Sequence, residues 1–285
     1  MEPTKELTKR GRLGHLTRTP LGWMLTGMAA VALISALTAT GPGPVPLLGA
    51  AAAIAAYAVV MRRVAHRPTL EIARPGAARE TLRGAAAGLG FILLSALLIT
   101  TLGGYSFSWA GDGVVSVIWT AVVTQAAAAI TEELLFRGLA LQALEHLWGS
   151  KTALAITSLF FGVAHLGAEG ATLWSGVAIA VEAGLLLGAA FLWRRSIWFV
   201  VGLHFAWNTT EQLLGIPVSG HAPDGLFTVG VHGSALLTGG AFGLEGSLVP
   251  VLVGVALAVP MLVLARRAGR LRNRHEARAA DMDRP

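Results

Sequence analysis

Two adjacent glutamates and an arginine occur in an otherwise apolar stretch of sequence, residues 127–139. Glu132, Glu133 and Arg137 lie where a membrane span is expected, and an ionisable group in hydrocarbon costs roughly 2.5–3.5 kcal/mol on insertion scales. Three such residues so close together require partners or a function. Two other apolar segments supply polar side chains of the right type: His165, His204 and Asn208. The combination predicts a catalytic site built between membrane helices.

The composition indicates the class of protein that carries these residues. The chain has 285 residues, of which 54% are hydrophobic and 13% charged, and its mean hydropathy is +0.64. Soluble domains carry about 25% charged residues. We therefore predict an all-α protein, a polytopic bundle of membrane helices. Cysteine is absent, which excludes disulfides and thiol chemistry. The excess of arginine over lysine, with abundant alanine and glycine, favours a bacterial inner (plasma) membrane protein.

Eight apolar segments divide the chain. A basic cytoplasmic segment, residues 1–20, precedes a transmembrane bundle over 21–267, and a basic tail over 268–285 is expected to be disordered. Because the first apolar run is too long for a signal-peptide core, we interpret it as an uncleaved helix. Pairs of small residues in the third and sixth segments should let helices approach closely. The predicted spans are 21–39, 47–61, 84–102, 114 to about 147, 152–166, 172–193, 197–214 and 248–265.

The positive charges predict the orientation. If the N-terminus is cytoplasmic and each segment crosses once, all 22 Lys and Arg residues fall on the cytoplasmic side, provided that Arg137 is counted with the cytoplasmic end of its helix. Basic residues concentrate in cytoplasmic loops. We therefore predict eight spans with both termini cytoplasmic. The net charge of +6 then reflects topology and contact with membrane lipid, and nucleic acid is not an expected partner.

Helical geometry predicts where the polar residues meet. The fourth and fifth spans form a hairpin that turns near Gly149, and Glu132 and His165 each lie roughly 25 Å from that turn at 1.5 Å per residue. The two side chains should therefore be level. If the turn protrudes from the membrane, these residues and His204 lie within the membrane nearer its cytoplasmic half, which predicts chemistry near the cytoplasmic face.

Spacings of four residues place side chains on common helix faces. Glu133 can pair with Arg137, and Phe161 can support the ring of His165. His204 and Asn208 share a third face. Peptide hydrolysis needs a base to take a proton from water, donors for the oxyanion and an acid for the leaving amine. A pair of carboxylates in different environments divides the acid and base roles.

The three motifs, Glu132-Glu133-x-x-x-Arg137, Phe161-x-x-x-His165 and His204-x-x-x-Asn208, resemble those of the CPBP family. That family comprises type II CAAX prenyl endopeptidases and bacteriocin-processing or immunity-type intramembrane proteases. The resemblance covers about 114–214, with the run 243–247 as a candidate extension, and gives a protease-like core over about 114–265.

The resemblance also implies a role for each motif residue. Glu132 would activate water that His165 helps to hold. Glu133 and Arg137 would orient the site. His204 and Asn208 would stabilise the oxyanion. Because bacteria seldom make prenylated CAAX proteins, we expect a membrane-bound peptide or small membrane protein as the substrate.

A metal is the open question at this site. Glu132, His165 and His204 would supply three ligands to Zn²⁺ and leave a fourth position open. Members of the family that the motifs resemble are often described as metalloproteases. No His-Glu-x-x-His helix is present in the sequence, so the ligands would have to converge from separate helices. We favour glutamate-activated water without a committed metal.

Two functions of other classes remain as alternatives. A non-catalytic membrane scaffold or immunity protein would keep the motif residues for stability, so that Glu132→Gln would leave its function intact. A proton-coupled transporter would also use intramembrane Glu, His and Arg, but it would be expected to show inverted repeats and helices broken by Gly or Pro. The sequence shows no repeat and no proline inside the fourth, fifth or seventh span.

Several other polar residues receive structural interpretations. Glu182 is expected at a helix contact or in the cavity, and Glu211 near the membrane interface. Glu145 and His146 are expected to be solvated at the cytoplasmic end of the hairpin. The histidines of the glycine-rich loop are expected at the surface rather than as ligands: His221 and His232.

Overall fold

The structure is a computed structural model that describes residues 16–111, 113–274 and 276. Within these ranges the chain forms eight long helices and one sheet of two strands. The helices are α1 (Pro20–Thr38), α2 (Val45–Val64), α3 (Ala77–Thr101), α4 (Val114–Trp148), α5 (Ser150–Ala164), α6 (Leu173–Arg194), α7 (Ile197–Leu213) and α8 (Leu248–Arg267), and the strands are β1 (Tyr105–Trp109) and β2 (Phe227–Val231). Short helical turns occur at Leu70–Ile72, His165–Gly167, Ala235–Thr238, Gly240–Phe242 and Leu244–Gly246.

The helices confirm the predicted polytopic bundle. Six of the described helices are long and apolar enough to cross a membrane. The other two, α5 and α7, have 15 and 17 residues. The presence of eight crossings, as distinct from eight helices, therefore stays a prediction, as do the domain boundaries. The first 15 residues and most of the predicted disordered tail lie outside the described residues.

The chain runs back and forth, so the two ends of the bundle differ. At the end where α1 begins, which we call the basic end, Arg194 contacts Glu80 with N–O distances of 2.8 and 2.5 Å. Arg195 donates to both oxygens of Glu145 at 2.6 and 2.7 Å. Glu145 is only 3% exposed, so the expectation that it is solvated is wrong. Its burial depends on an arginine that follows α6, a contact that the local sequence cannot reveal.

The turn between α4 and α5 is packed against the tail. Gly149 adopts φ +82°, a conformation that side chains disfavour, and a Cβ there would lie 2.9 Å from the carbonyl oxygen of Arg272. The same carbonyl accepts a hydrogen bond from the backbone N–H of Ser150 at 2.9 Å. The described part of the tail therefore covers the basic end of the α4–α5 hairpin.

The opposite end of the bundle carries the sheet and the glycine-rich loop. Strands β1 and β2 pair antiparallel, from Tyr105 opposite Val231 to Trp109 opposite Phe227. The indole N–H of Trp174 donates to the carbonyl of Gly246 at 2.9 Å, which ties the start of α6 to the loop before α8. The long loop is thus folded back over this end of the bundle.

Small residues bring helices together where the sequence predicts. An added Cβ would lie 1.9 Å from the Phe199 carbonyl oxygen at Gly84, and 2.1 Å from the Leu203 carbonyl oxygen at Gly88. The backbones of α3 and α7 are therefore in direct contact. On α6, Gly184 meets the backbone of Ser158 in the same way. These contacts hold α7, which carries His204 and Asn208, and α6 against their neighbours.

Three of the long helices contain a π-helical stretch: Val60–Val64 in α2, Leu134–Leu141 in α4 and Ala180–Leu185 in α6. The stretch in α4 begins directly after Glu133 and contains Arg137. Such stretches inside α-helices frequently occur at functional sites. No pattern in the sequence indicated these stretches.

Candidate active site

Glu133 and Arg137 form a fully enclosed ion pair on α4. The Arg137 Nη1 donates to Glu133 Oε1 at 2.9 Å, and the two side chains are 2% and 0% exposed. The Nη2 of the same guanidinium donates to the carbonyl oxygens of Ala183 and Gly184 at 2.9 and 3.3 Å. The π-helical stretches of α4 and α6 therefore meet at this arginine. The pairing predicted from the four-residue spacing is present, and it is extended to a second helix.

His204 on α7 connects the two glutamates. Its Nδ1–H donates to Glu133 Oε1 at 2.8 Å, which fixes the ring and leaves Nε2 free to face the other glutamate. The His204 Nε2 lies 4.0 Å from Glu132 Oε2. Arg137 and His204 thus share one carboxylate oxygen, and the imidazole spans the space between the two glutamates.

Glu132 has a different environment from Glu133. Its side chain is 30% exposed and borders a cavity of about 820 Å³. Its Oε2 has no hydrogen-bond partner among the described residues. Successive residues of a helix are rotated by about 100°, so adjacent side chains point in different directions. Glu133 is therefore enclosed beside Arg137 and His204, whereas Glu132 is available to a molecule in the cavity.

His165 approaches the same cavity from the end of α5. It begins the short turn His165–Gly167, and its ring stacks on Phe161 with centroids 4.6 Å apart and an interplanar angle of 30°. The Nδ1–H donates to the Phe161 carbonyl at 2.7 Å. This hydrogen bond orients the imidazole so that Nε2 keeps its lone pair. Phe161 also contacts the guanidinium of Arg137, whose central carbon lies 4.8 Å from the ring centroid.

Asn208 completes the set of motif residues. It is 6% exposed, lines the cavity and leaves Oδ1 without a hydrogen-bond partner among the described residues. The cavity is thus bordered by Glu132, His165, His204 and Asn208, while Glu133 and Arg137 lie behind them. The structure brings together all six residues that the sequence singled out.

The cavity opens away from the basic end. Its lining includes Ala39 after α1, Thr120 in the first turns of α4, Glu169 after α5 and His221 in the glycine-rich loop, all of them exposed. These positions lie at the end that carries the sheet. The sequence analysis expected the site in the half nearer the basic end. His165 follows the last residue of the 15-residue helix α5, whereas Glu132 lies near the middle of α4, so the depth of the site in the membrane stays a prediction.

The structure adds one carboxylate that the sequence analysis left without a role. Glu245, in the loop before α8, lines the cavity and is 3% exposed. Its Oε2 accepts hydrogen bonds from the backbone N–H and the hydroxyl of Ser219, both at 2.7 Å. Burial raises the pKa of the Glu245 carboxyl, and the hydrogen bonds from Ser219 and the nearby imidazoles of His165 and His204 oppose that rise. The run 243–247 was the only signal for it in the sequence.

The other polar residues discussed above differ in their relation to the cavity. Glu182 and Glu211 are both 0% exposed and do not line it. The backbone of Glu182 meets Gly254, so this residue lies at a contact between α6 and α8. His221 is exposed, as expected, and borders the cavity mouth. His232 is exposed, with Nε2 3.0 Å from the hydroxyl of Ser106.

The donor set does not fit the zinc site considered from the sequence. Among the described residues, no three His, Asp or Glu side chains are grouped as a metal ion would require. His204 uses Nδ1 for Glu133, and its Nε2 is 4.0 Å from the nearest oxygen of Glu132. A zinc ion needs several ligand atoms at about 2.0–2.2 Å from the metal, and no third such side chain of the described residues is grouped with Glu132 and His204. The arrangement is better suited to holding a water molecule and a peptide carbonyl.

Comparison with known proteins is consistent with this chemistry. Residues 114–210 match the family model described as type II CAAX prenyl endopeptidase, Rce1-like. The matched range contains all six candidate site residues and ends before Glu245. Comparisons with curated proteins and with solved structures give no match to the chain. The match and the apolar helices together indicate an integral multi-pass membrane protein with a peptidase domain.

Proposed function

We propose that the chain, whose residues 114–210 match the model of the type II CAAX prenyl endopeptidase family, cleaves a peptide bond in a membrane-associated peptide or protein by direct attack of water. The observation that carries the mechanism is the division between two neighbouring glutamates. Glu133 is enclosed beside Arg137 and His204 with its side chain 0% exposed, whereas the side chain of Glu132 is 30% exposed and borders the cavity. Such a division suits one carboxylate for proton transfer and the other for orientation.

The reaction begins with Glu132 taking a proton from water while the water oxygen attacks the carbonyl carbon of the substrate. His165 helps to hold the water through Nε2, because its Nδ1–H is committed to the Phe161 carbonyl. The tetrahedral intermediate carries a negative oxygen. The protonated imidazole of His204, through Nε2–H, and the amide N–H of Asn208 stabilise that oxygen.

The second half of the reaction returns the proton. Glu132 donates it to the nitrogen of the leaving group, the carbon–nitrogen bond breaks, and a carboxylic acid and an amine are released. Glu133 accepts the Nδ1–H bond of His204 throughout and stabilises its positive charge. Arg137 pairs with Glu133 and connects it to the backbone of α6. Every step uses side chains of this chain and none requires a metal.

Cleavage by the purified protein in nanodiscs tests the proposal. A panel of fluorogenic, membrane-tethered peptides, one of them prenylated, would be incubated with wild-type protein, Glu132→Gln and Glu182→Gln. Loss of a general base lowers kcat by about 10²–10⁴-fold, so Glu132→Gln should be nearly inactive. Glu182→Gln is the matched control, because it removes a buried carboxylate of a neighbouring helix that does not line the cavity.

Three results would contradict the proposal or part of it. Cleavage that survives in Glu132→Gln would remove Glu132 from the mechanism. Loss of activity on addition of a chelator, restored by Zn²⁺, would replace direct glutamate catalysis with metal catalysis. A cellular function that persists in Glu132→Gln would favour the non-catalytic scaffold or immunity protein.

A further inference from the structure

The cavity and the basic residues lie at opposite ends of the bundle. The exposed part of the cavity lining comes from the loop after α1, the first turns of α4, the loop after α5 and the glycine-rich loop. Each of these segments lies at the end that carries the β1–β2 sheet. The cavity mouth is therefore a feature of that end.

No Lys or Arg occurs in the four loops of this end, residues 38–46, 102–113, 165–172 and 214–247. Among the described residues, every Lys and Arg except the buried Arg137 lies at the basic end, in residues 18, 62–83, 151, 194–195 and 266–274. Basic loops stay in the cytoplasm, and each basic residue near an anionic leaflet contributes about 1 kcal/mol of attraction. A charge asymmetry this complete orients the basic end toward the cytoplasm.

From these two observations we infer that the catalytic cavity opens to the non-cytoplasmic side of the membrane. This inference rests on the proposed function for what happens there: the substrate is a membrane-anchored polypeptide whose scissile bond lies in the translocated segment next to its anchor. A lipid-modified C-terminus presented from the cytoplasm would meet the basic end, where α4, α5, α6 and the tail are packed together.

The cavity lining connects the reacting groups with this end of the bundle. His165 lies just beyond the last residue of α5 at the non-basic end, and Ser219 and Glu245 reach the cavity from loops of the same end. Glu132 lies near the middle of α4, 18 residues after Val114 and 16 before Trp148, and lines the same cavity. A polypeptide entering from the non-cytoplasmic side reaches His165 and Glu132 without crossing the bundle.

Site-directed labelling tests the orientation, and the absence of cysteine from the chain makes single-cysteine variants unambiguous. Lys151→Cys and Glu169→Cys form a matched pair, because both residues are exposed and lie at opposite ends of α5. Spheroplasts that express each full-length variant would be treated with a membrane-impermeant maleimide before and after lysis. We expect Glu169→Cys to be labelled in intact spheroplasts and Lys151→Cys only after lysis. The reverse pattern, or equal labelling of both variants in intact spheroplasts, would overturn the inference.

Cleavage of two reporters tests the substrate class. Both reporters carry one membrane span and the same adjacent peptide, displayed on the non-cytoplasmic side in one and on the cytoplasmic side in the other. We expect only the first to be cleaved, and only when it is co-expressed with the wild-type protein rather than Glu132→Gln. Cleavage of only the cytoplasmic reporter would overturn the inference and leave the proposed function intact. If neither reporter is cleaved while Glu169→Cys is labelled from outside, the orientation holds and the proteolytic function fails.

Discussion

The contact between α3 and α7 gives a sharp test of how the fold positions the site. Gly88 faces the backbone of Leu203, the residue directly before His204. In Gly88→Ala the new Cβ would lie 2.1 Å from the Leu203 carbonyl oxygen, whereas ordinary van der Waals contact begins at 3.4 Å. The difference, 3.4 minus 2.1, requires the two helices to separate by about 1.3 Å, because a backbone oxygen cannot rotate away as a flexible side chain can.

That separation acts on the hydrogen bond between His204 Nδ1 and Glu133 Oε1, which is 2.8 Å long. Movement of α7 by about 1 Å takes this contact beyond good hydrogen-bonding distance and changes where Nε2 points. A misplacement of that size can lower the rate by about 10²-fold. Overpacking also costs about 1–3 kcal/mol of stability, partly offset by the gain of up to about 1 kcal/mol in helix propensity from Gly to Ala.

Gly90→Ala on the same helix is the control. Gly90 is exposed, and an added Cβ there meets nothing within 4 Å. We expect Gly90→Ala to match wild type in kcat/KM for the fluorogenic peptide and in thermal unfolding in the same detergent. Gly88→Ala should lose about two orders of magnitude in kcat/KM. Equal activity and equal Tm for the two variants would refute the argument that close packing of α3 on α7 positions His204.

Three further perturbations test the surrounding structure. Arg137→Lys keeps the charge but loses the planar guanidinium that contacts both Glu133 and the α6 backbone. We therefore expect the free energy of unfolding to fall by about 2–5 kcal/mol and cleavage to decrease. Wild-type stability in this variant would show that the planar group is unnecessary. Arg195→Gln removes the arginine that pairs with buried Glu145 at the basic end. We expect the free energy of unfolding to fall by about 1–3 kcal/mol while kcat per folded molecule stays unchanged. A fall in kcat would contradict the separation of this end from the site. Because burial raises the pKa of Glu245, the folded state keeps the carboxyl proton to higher pH than the unfolded state does. The free energy of unfolding should therefore fall as the pH rises from the ordinary glutamate pKa through the pKa of Glu245 in the folded protein. Glu245→Gln should remove that fall in a series of Tm measurements, and an unchanged profile would assign the pH dependence to another group.

The local spacing of residues predicted the parts of the site that lie within one helix. The Glu133–Arg137 pair and the stacking of Phe161 on His165 follow from residues four apart sharing a face. The contact of Gly88 with α7 follows from the need of membrane helices for small residues where they touch. These features are local, or depend only on residue size, and a sequence records both.

Features that depend on distant contacts were not predictable from the sequence. Glu145 is buried because Arg195, from the end of another helix, reaches both its oxygens. Glu245 reaches the cavity only because Ser219 fixes the loop that carries it. The depth of the site in the membrane stays a prediction, because it was counted from the turn at Gly149 on the assumption that this turn protrudes. A rise per residue gives a distance along a helix, but it does not give the position of the helix in the membrane.

The adjacency of the two glutamates is the feature that a soluble enzyme would not need. In water, two carboxylates one residue apart are both ionised and nearly equivalent. Here Glu133 points into the contact of α4 with α6 and α7, where Arg137 and His204 share one of its oxygens, and Glu132 points into the cavity. The arginine compensates for one buried charge, so that the other carboxylate can take up and release a proton without leaving a second unpaired charge in the bundle. Substitution of Arg137 should therefore impair proton transfer by Glu132 without any change in Glu132 itself, because the charge of Glu133 would no longer be compensated.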